Sequence, residues 1–272
     1  MLISAVVSLK ALKDADPVPR GRAVHAWFLK LIERHDPTLA AYLHQGVDGV
    51  RPFTVSDVRW RLDGYSSKGL SIHGGRRYLV RITSVMPELS EVLESKVLGN
   101  LPSRLELAGA LFEVAGATTN ATTHPWAGSS SRRDLWQKMK SPRPAHLSLQ
   151  FTSPTTFRSR GVFVPLPWPR MVFNGLIKKW NLFAEAPFPR NVLQVIDDAL
   201  VIRGYHLQST GVPLGRKAGT NVPAFWGRCD YAVVSRDEHL QRLVYALAAF
   251  AFYAGVGRET TRGFGQCRLT SL

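Results

Sequence analysis

A glycine-rich stretch near the C-terminus carries the residues best suited to holding a phosphate-bearing chain. Residues 253–268 contain four glycines and two arginines, namely Gly255, Gly257, Gly263, Gly265, Arg258 and Arg262. Because glycine lacks a Cβ, its backbone can adopt positive φ or approach another molecule closely. Guanidinium groups beside such a backbone suit a sugar-phosphate chain. Two interpretations are open: the stretch binds such a chain, or its glycines simply form a turn.

The elements on either side of this stretch exclude two well-known phosphate-binding loops. Residues 238–253 carry apolar side chains at helical spacing, and residues 265–269 have the pattern of a short strand. Dinucleotide-binding fingerprints and P-loops require the order strand, loop, helix, so that phosphate meets the helix N-terminus. The order here is helix, loop, strand, and neither motif is present.

The charge of the whole chain also indicates an anionic partner. Its 272 residues include 35 Lys and Arg against 20 Asp and Glu, a formal net charge of +15. Such an excess favours nucleic acid as the partner, ahead of an anionic membrane surface. No apolar run reaches the ~18 residues that span a bilayer. The apolar N-terminus lacks a basic leader region, so we interpret it as a first strand and expect a cytoplasmic protein without a membrane partner.

The cysteines exclude two further classes of site. Cys229 and Cys267 are the only two, without paired spacing or a neighbouring histidine cluster. A zinc ribbon and a disulfide framework both need such pairs. We therefore expect buried free thiols, no metal site and no cofactor.

The first 118 residues show the element order βαββαβ, which is that of a ferredoxin-like domain. Strands are predicted at 2–9, 51–58, 76–85 and 104–114, and helices at 21–34 and 89–98, with a second helical turn at 39–43. Residues 119–145 are rich in Ser, Thr, Pro and basic residues and are predicted to form a linker or insertion. Residues 146–272 repeat the element order less clearly and form the predicted C-terminal domain.

Five blocks of the chain resemble, in register, the CRISPR-associated repeat-processing endoribonucleases, the Cas-six family of the RAMP superfamily. They are the Gly-x-x-x-His-x-x-Phe-Leu helix at 21–29, Asp-Pro-Thr-Leu-Ala-Ala-Tyr-Leu-His at 36–44, Arg-Pro-Phe-Thr-Val-Ser at 51–56, Phe-Thr-Ser-Pro-Thr-Thr-Phe-Arg at 151–158 and the glycine-rich stretch. The resemblance implies an α+β fold of tandem ferredoxin-like, RRM-related domains, which agrees with the element order.

The resemblance also implies an activity and a set of catalytic residues. The family cuts RNA without metal, by attack of a ribose 2′-hydroxyl on the adjacent phosphate, and so converts precursor transcripts into mature guide RNAs. Such a reaction needs a base, an acid and cations around the phosphate. The family pattern places His44 and Arg51 in these roles. Some relatives carry a tyrosine where this chain has Leu29, which leaves the acid open, with His25 and His35 as candidates. His25 could instead be packed, and His35 could interact with a helix C-terminus.

The expected partners follow from the same resemblance. They are repeat RNA, as precursor and as mature guide, and proteins of a CRISPR effector complex, with the chain as a monomer or homodimer. Two alternatives are open: a non-catalytic RNA-binding RAMP subunit, and a basic scaffold that binds nucleic acid nonspecifically. Basic and aromatic side chains elsewhere could track phosphates or stack on bases, or be solvated or packed instead; these are Arg76, Arg77, Arg133, Trp126, Trp136 and Trp226.

Overall fold

A computed structural model describes residues 1–16, 18, 20–65, 71–137, 146–214 and 221–270. It divides into two compact units. Unit 1 comprises Met1–Ser131 together with Thr260–Gly263, and unit 2 comprises Arg132–Glu259 together with the residues from Phe264 onward.

Unit 1 is built on a six-stranded antiparallel sheet. Four strands run in the order β2-β3-β1-β5, β4 is added beside β5, and β6 pairs with the start of β1. The elements are β1 (Leu2–Ala11), α1 (Gly21–Glu33), α2 (Pro37–Gln45), β2 (Phe53–Val55), β3 (Arg77–Ser84), α3 (Pro87–Val92), β4 (Arg104–Leu107), β5 (Ala110–Thr118) and β6 (Gly128–Ser130). A π turn (Leu93–Val97) and a 3₁₀ turn (Leu98–Asn100) extend α3, and Thr260–Arg262 forms another 3₁₀ turn. The order β2-β3-β1-β5 is ferredoxin-like, as predicted.

Two predicted strands of this unit differ from those observed. The single strand predicted at 104–114 is a hairpin of β4 and β5, whose turn residues Ala108 and Gly109 have φ of 50° and 86°. Two successive positive φ values are the geometry of the tight hairpin turn that Asn-Gly normally signals, and an alanine in the first position hides that signal. The strand predicted at 51–58 is also shorter, since β2 comprises Phe53–Val55.

The segment predicted as a linker or insertion contributes to both units. Within it, β6 joins the sheet of unit 1, the helix α4 (Arg132–Gln137) belongs to unit 2, and residues 138–145 lie outside the described residues. Trp126, just before β6, is 1% exposed, and the Arg81 guanidinium lies 4.9 Å from the centre of its ring. This tryptophan is therefore packed, whereas Trp136 stays exposed and Trp226 is half-buried.

Unit 2 repeats the ferredoxin-like topology. Its four-stranded antiparallel sheet has the order β10-β11-β7-β12, and β8 and β9 form a separate ribbon. The elements after α4 are β7 (His146–Thr155), β8 (Phe157–Ser159), β9 (Val162–Val164), α5 (Pro169–Phe183), α6 (Val192–Ala199), β10 (Leu200–Pro213), β11 (Asn221–Val233), α7 (Glu238–Ala254) and β12 (Cys267–Thr270). The predicted tandem ferredoxin-like fold is thus confirmed.

Aromatic contacts organise the core of each unit. In unit 1, Phe28 of α1 packs on Phe53 of β2 with ring centres 4.9 Å apart, and both are buried. In unit 2, Trp180 of α5 meets Phe250 of α7 at 5.2 Å. Cys229 and Cys267 are buried free thiols, as expected, and burial raises the pKa of Cys229 to about 11. Among the described helices, none combines the length and apolarity needed to cross a bilayer.

Candidate active site

A helical hairpin in unit 1 positions His25 and His44. Asp36 is the N-cap of α2, because its Oδ1 accepts a hydrogen bond from the Leu39 amide at 2.8 Å. Pro37 follows it in the first helical turn, a position that suits proline. The two helices pack against each other. The last turn of α2 therefore carries the exposed His44 close enough to His25 of α1 for its charge to lower the pKa of His25.

A tight turn after α2 brings Arg51 back to the end of that helix. Val47 and Val50 exchange backbone hydrogen bonds of 2.9 and 2.7 Å. Arg51 then donates from Nε to the Leu43 carbonyl at 3.2 Å and from Nη2 to the His44 carbonyl at 2.6 Å. The last carbonyls of a helix have no partner inside the helix and carry partial negative charge, so the guanidinium group suits this position.

His25 lies in a half-buried position between these groups. Its ring stacks on Phe53 with 5.6 Å between ring centres, and its Nδ1 is buried without a hydrogen-bond partner. Burial lowers the pKa of His25 most, and the charges of Arg51 and Arg262 lower it further. A hydrogen bond to the Thr261 backbone raises it in part, and the resulting pKa is about 4. His25 is therefore neutral at pH 7.

A close backbone contact places Arg262 beside this histidine. A Cβ on Gly21, at the start of α1, would overlap the peptide that joins Arg262 to Gly263. The Gly263 amide donates to the Val55 carbonyl at 3.0 Å. Gly263 has φ of 93°, and a Cβ there would overlap the Asp57 carboxylate. Both positions favour glycine: at Gly21 a neighbouring backbone leaves no room for a side chain, and at Gly263 the positive φ and the Asp57 carboxylate disfavour one.

Asp57 secures the same contact from the side of β2. Its Oδ1 accepts a hydrogen bond from the Gly21 amide at 2.6 Å, and its Oδ2 lies 3.8 Å from Nη2 of the buried Arg59. The carboxylate thereby accepts a hydrogen bond from one of the amides at the N-terminus of α1 that have no acceptor inside the helix. Sequence reasoning missed Asp57, because it caps a helix 36 residues earlier in the chain and no local motif marks such a contact.

Four of the predicted site residues come together in unit 1: His25, His44, Arg51 and Arg262. The set combines a neutral imidazole, a second imidazole and two guanidinium groups. The imidazoles can transfer protons at a bound phosphate, and the guanidinium groups can hold its negative charge. His35 is not among the charges that act on the pKa of His25; it lies in the turn after α1, whose last residue, Glu33, is about 12 Å from His25 along the helix axis. In the part of the chain that the structure describes, no group of three or more His, Cys, Asp or Glu residues could hold a metal ion.

Arg76 and Arg77 also lie away from this group. Both are exposed at the start of β3, whereas Phe53, the stacking partner of His25, pairs with Ser84 at the far end of the same strand. Seven residues of strand separate the two ends, about 23 Å. Any phosphate that these arginines contact is therefore remote from the four clustered residues.

The other predicted phosphate-binding residues belong to unit 2. Gly255 ends α7, and the exposed Arg258 donates its amide to the Thr156 carbonyl at 2.9 Å. Gly257 has φ of 83°, and a Cβ there would lie 2.5 Å from the Thr156 oxygen. The Gly265 amide donates to the Pro154 carbonyl at 2.9 Å. All four glycines of the stretch have positive φ, and Arg133 is exposed on α4.

Comparisons with known proteins relate the chain to one family. The family model of the CRISPR-associated endoribonuclease Cas6 matches residues 149–267. The chain is 28% identical to the Cas6 endoribonuclease of Streptococcus thermophilus over 126 residues, which are 46% of this chain and 50% of that protein. It is 24% identical to the Cas6 of Mycobacterium tuberculosis over 132 residues, which are 48% of this chain and 41% of the relative. The chain thus spans about half or less of the curated relatives that it matches.

Solved structures show similarity over the whole chain. The product complex of a Thermus thermophilus Cas6 superposes with a TM-score of 0.79 and 24% identity, covering 99% of this chain and 100% of that one. The product complex of a second Cas6 gives a TM-score of 0.77 and 25% identity, with 99% of both chains covered. The fold of this chain is therefore that of the Cas6 structures from end to end.

Proposed function

We propose, from the similarity of this chain to the Cas6 endoribonucleases, that it is an endoribonuclease that cuts CRISPR precursor transcripts within their repeats. The products would be mature guide RNAs. Support comes from the family model in the second half of the chain, from the fold over its full length, and from the excess of positive charge. Cas6 structures of similar fold are product complexes and a substrate mimic complex.

The clustering of His25, His44, Arg51 and Arg262 carries the proposal for the mechanism. Neutral His25 takes the proton from the ribose 2′-hydroxyl. The 2′-oxygen forms a bond to phosphorus while the bond from phosphorus to the 5′-oxygen breaks. His44, exposed at the end of α2, delivers a proton to that leaving oxygen. The products are a 2′,3′-cyclic phosphate and a 5′-hydroxyl group.

The two arginines stabilise the charge that develops on the phosphate. They also connect substrate binding to the basicity of His25. In the free protein, their charges help to keep the pKa of His25 at about 4. A bound phosphate offsets those charges and favours the imidazolium, so the pKa of His25 rises toward neutrality when RNA is in place. A base with a pKa near the working pH is the most effective.

The remaining roles are proposals on the same basis. Catalysis belongs to the N-terminal domain, and the glycine-rich stretch holds RNA phosphates through Arg258 and Arg262. Arg76, Arg77 and Arg133 contact RNA farther away, and His35 serves only as a substitute proton carrier. The protein acts in the cytoplasm as a monomer or homodimer, retains its guide RNA and delivers it to an effector complex. No step in this mechanism uses a metal or another cofactor.

One experiment separates this function from its two alternatives. Purified protein is incubated in excess EDTA with a panel of labelled CRISPR repeat RNAs and with an unrelated hairpin. We expect one cut per repeat, a cyclic phosphate on the product, and no cut when the nucleotide before the cleaved bond is 2′-deoxy. Tight repeat binding without cleavage would indicate a non-catalytic subunit. Equal binding of every nucleic acid would indicate a scaffold. Cleavage that depends on Mg²⁺ or Mn²⁺ would contradict the mechanism.

A further inference from the structure

A groove in unit 1 lies on the side of α1 away from His25. Its volume is about 220 Å³, and it is lined by α1 and by the edge strand β4 with the residues just before it. Trp27 and His25 are two residues apart on the helix, so their side chains point in directions about 200° apart. The groove and the four clustered residues therefore occupy opposite sides of one helix in the same unit.

The groove combines one aromatic side chain with several cations. Trp27 is half-buried in its wall, and Leu31 and Leu105 are buried beside it. Lys30, Arg34 and Arg104 are exposed around it. Within the described part of the chain, no ion pair involves any of these three cations.

We propose that this groove binds an unpaired nucleotide of RNA that flanks the processed repeat; the proposal rests on the proposed function. A volume of about 220 Å³ is below the roughly 300–1,000 Å³ of cavities that enclose a whole small-molecule ligand. The groove therefore suits a single nucleotide that projects from an RNA chain. An aromatic side chain with cations around it is the combination that binds single-stranded nucleic acid, with a base stacked on the ring and phosphates on the charges.

The remaining polar group of the groove fits the same ligand. Glu106 is an exposed carboxylate in the lining and can accept a hydrogen bond from an amino group of a base, as carboxylates do with cytosine. Paired bases keep their faces covered, so only an unstacked base can lie on Trp27. The width of α1, about 10–12 Å with its side chains, separates the groove from His25. The bound nucleotide therefore lies outside the immediate neighbours of the cleaved phosphate.

The test compares RNA affinity with and without single-stranded flanks. Wild type is titrated with the minimal repeat RNA and with the same RNA extended on its 5′ or 3′ side. We expect one of the flanks to tighten binding roughly 5- to 100-fold, the range that follows from stacking one base. Trp27→Ala and Arg34→Ala should lose this gain while binding and cutting the minimal RNA as wild type does.

A matched variant and a crosslink complete the experiment. Trp60, which is 55% exposed elsewhere in unit 1, provides the control: Trp60→Ala should keep the gain. In wild type, 4-thiouridine placed along the active flank should crosslink to the peptide that contains Trp27, whether or not Trp27→Ala folds. Equal affinity for minimal and extended RNA, or crosslinks only outside α1 and β4, would overturn the proposal. Failure to cut the minimal RNA would instead count against the proposed function, since flank-dependent binding is measured without cleavage.

Discussion

The guanidinium group of Arg51 closes the end of the helix that carries His44. Its two hydrogen bonds, 3.2 Å to the Leu43 carbonyl and 2.6 Å to the His44 carbonyl, use two directions of the planar guanidinium group at once. The same charge helps to keep His25 neutral. Arg51 thus contacts the backbone at the helix end that carries one histidine, and its charge adds to the effect of burial in keeping the other histidine neutral.

Replacing Arg51 should therefore damage more than phosphate binding. Arg51→Ala should lower the single-turnover cleavage rate by roughly 10²–10³, the loss typical of a cationic or hydrogen-bonding group that stabilises a transition state. Arg51→Lys should recover only part of the rate, because a lysine keeps the charge and cannot reproduce the planar fork. Arg61→Ala, an exposed arginine of unit 1, is the control. A wild-type rate in Arg51→Ala would contradict this role.

The contact between Gly21 and the Arg262–Gly263 peptide predicts a loss of both stability and activity when a methyl group is added. Gly21→Ala should lower the free energy of unfolding by about 1–3 kcal/mol, the usual cost of overpacking, and should slow cleavage because Arg262 is displaced from His25. Thermal melts and single-turnover rates measure the two effects. Gly99→Ala is the matched control, since a Cβ there meets nothing within 4 Å. Equal melting temperatures for the two variants would rule out the close contact.

The sequence predicted the helices that carry the site but not how they meet. The apolar spacing of α1 and α7 defined both helices to within one or two residues, because each buries one face in a core. The family resemblance selected His44 and Arg51, and His25 was one of two candidates, with His35, for the acid that the resemblance left open. The approach of Arg262 to His25 joins opposite ends of the chain, and Asp57 caps a helix through a distant contact. Neither of these two long-range contacts produces a local sequence pattern, whereas the apolar face of a helix produces a periodic one.

The lowered pKa of His25 predicts an unusual acid limb in the pH–rate profile. The ratio kcat/KM reports ionisations of the free enzyme, and burial with two nearby arginines sets the pKa of His25 at about 4. As the pH falls, a base must lose activity when it becomes protonated. The loss assigned to His25 should therefore lie near pH 4, well below the 6.5 of an ordinary histidine.

Removing one of those arginines should move the limb in a known direction. A positive charge lowers the pKa of a histidine, so Arg262→Ala should raise the pKa of His25 and shift the acid limb to higher pH. NMR titration of the His25 ring in the free protein gives the same quantity without cleavage. A midpoint near 6.5 in wild type, or no shift in Arg262→Ala, would contradict the proposed electrostatics.

Salt dependence tests the two arginines of the glycine-rich stretch as phosphate ligands. Each of Arg258→Ala and Arg262→Ala should weaken RNA binding and reduce the slope of log affinity against log salt by about 0.7 if the contacted RNA is single-stranded. Gly263→Val should weaken binding by distorting the backbone against Asp57 and should change the slope less, because no charge is removed. Wild-type slopes in both arginine variants would remove the stretch from the RNA site.

The rate of His44→Ala tests the central claim most directly. Under single-turnover conditions in excess EDTA, with saturating protein and a cleavable repeat RNA, the variant should cut roughly 10²–10⁴-fold more slowly than wild type, which is the usual contribution of a group that transfers a proton in the transition state. Its RNA affinity should stay close to wild type, because His44 contributes little to the ground state. A variant that binds and cuts the repeat at the wild-type rate would contradict proton transfer by His44.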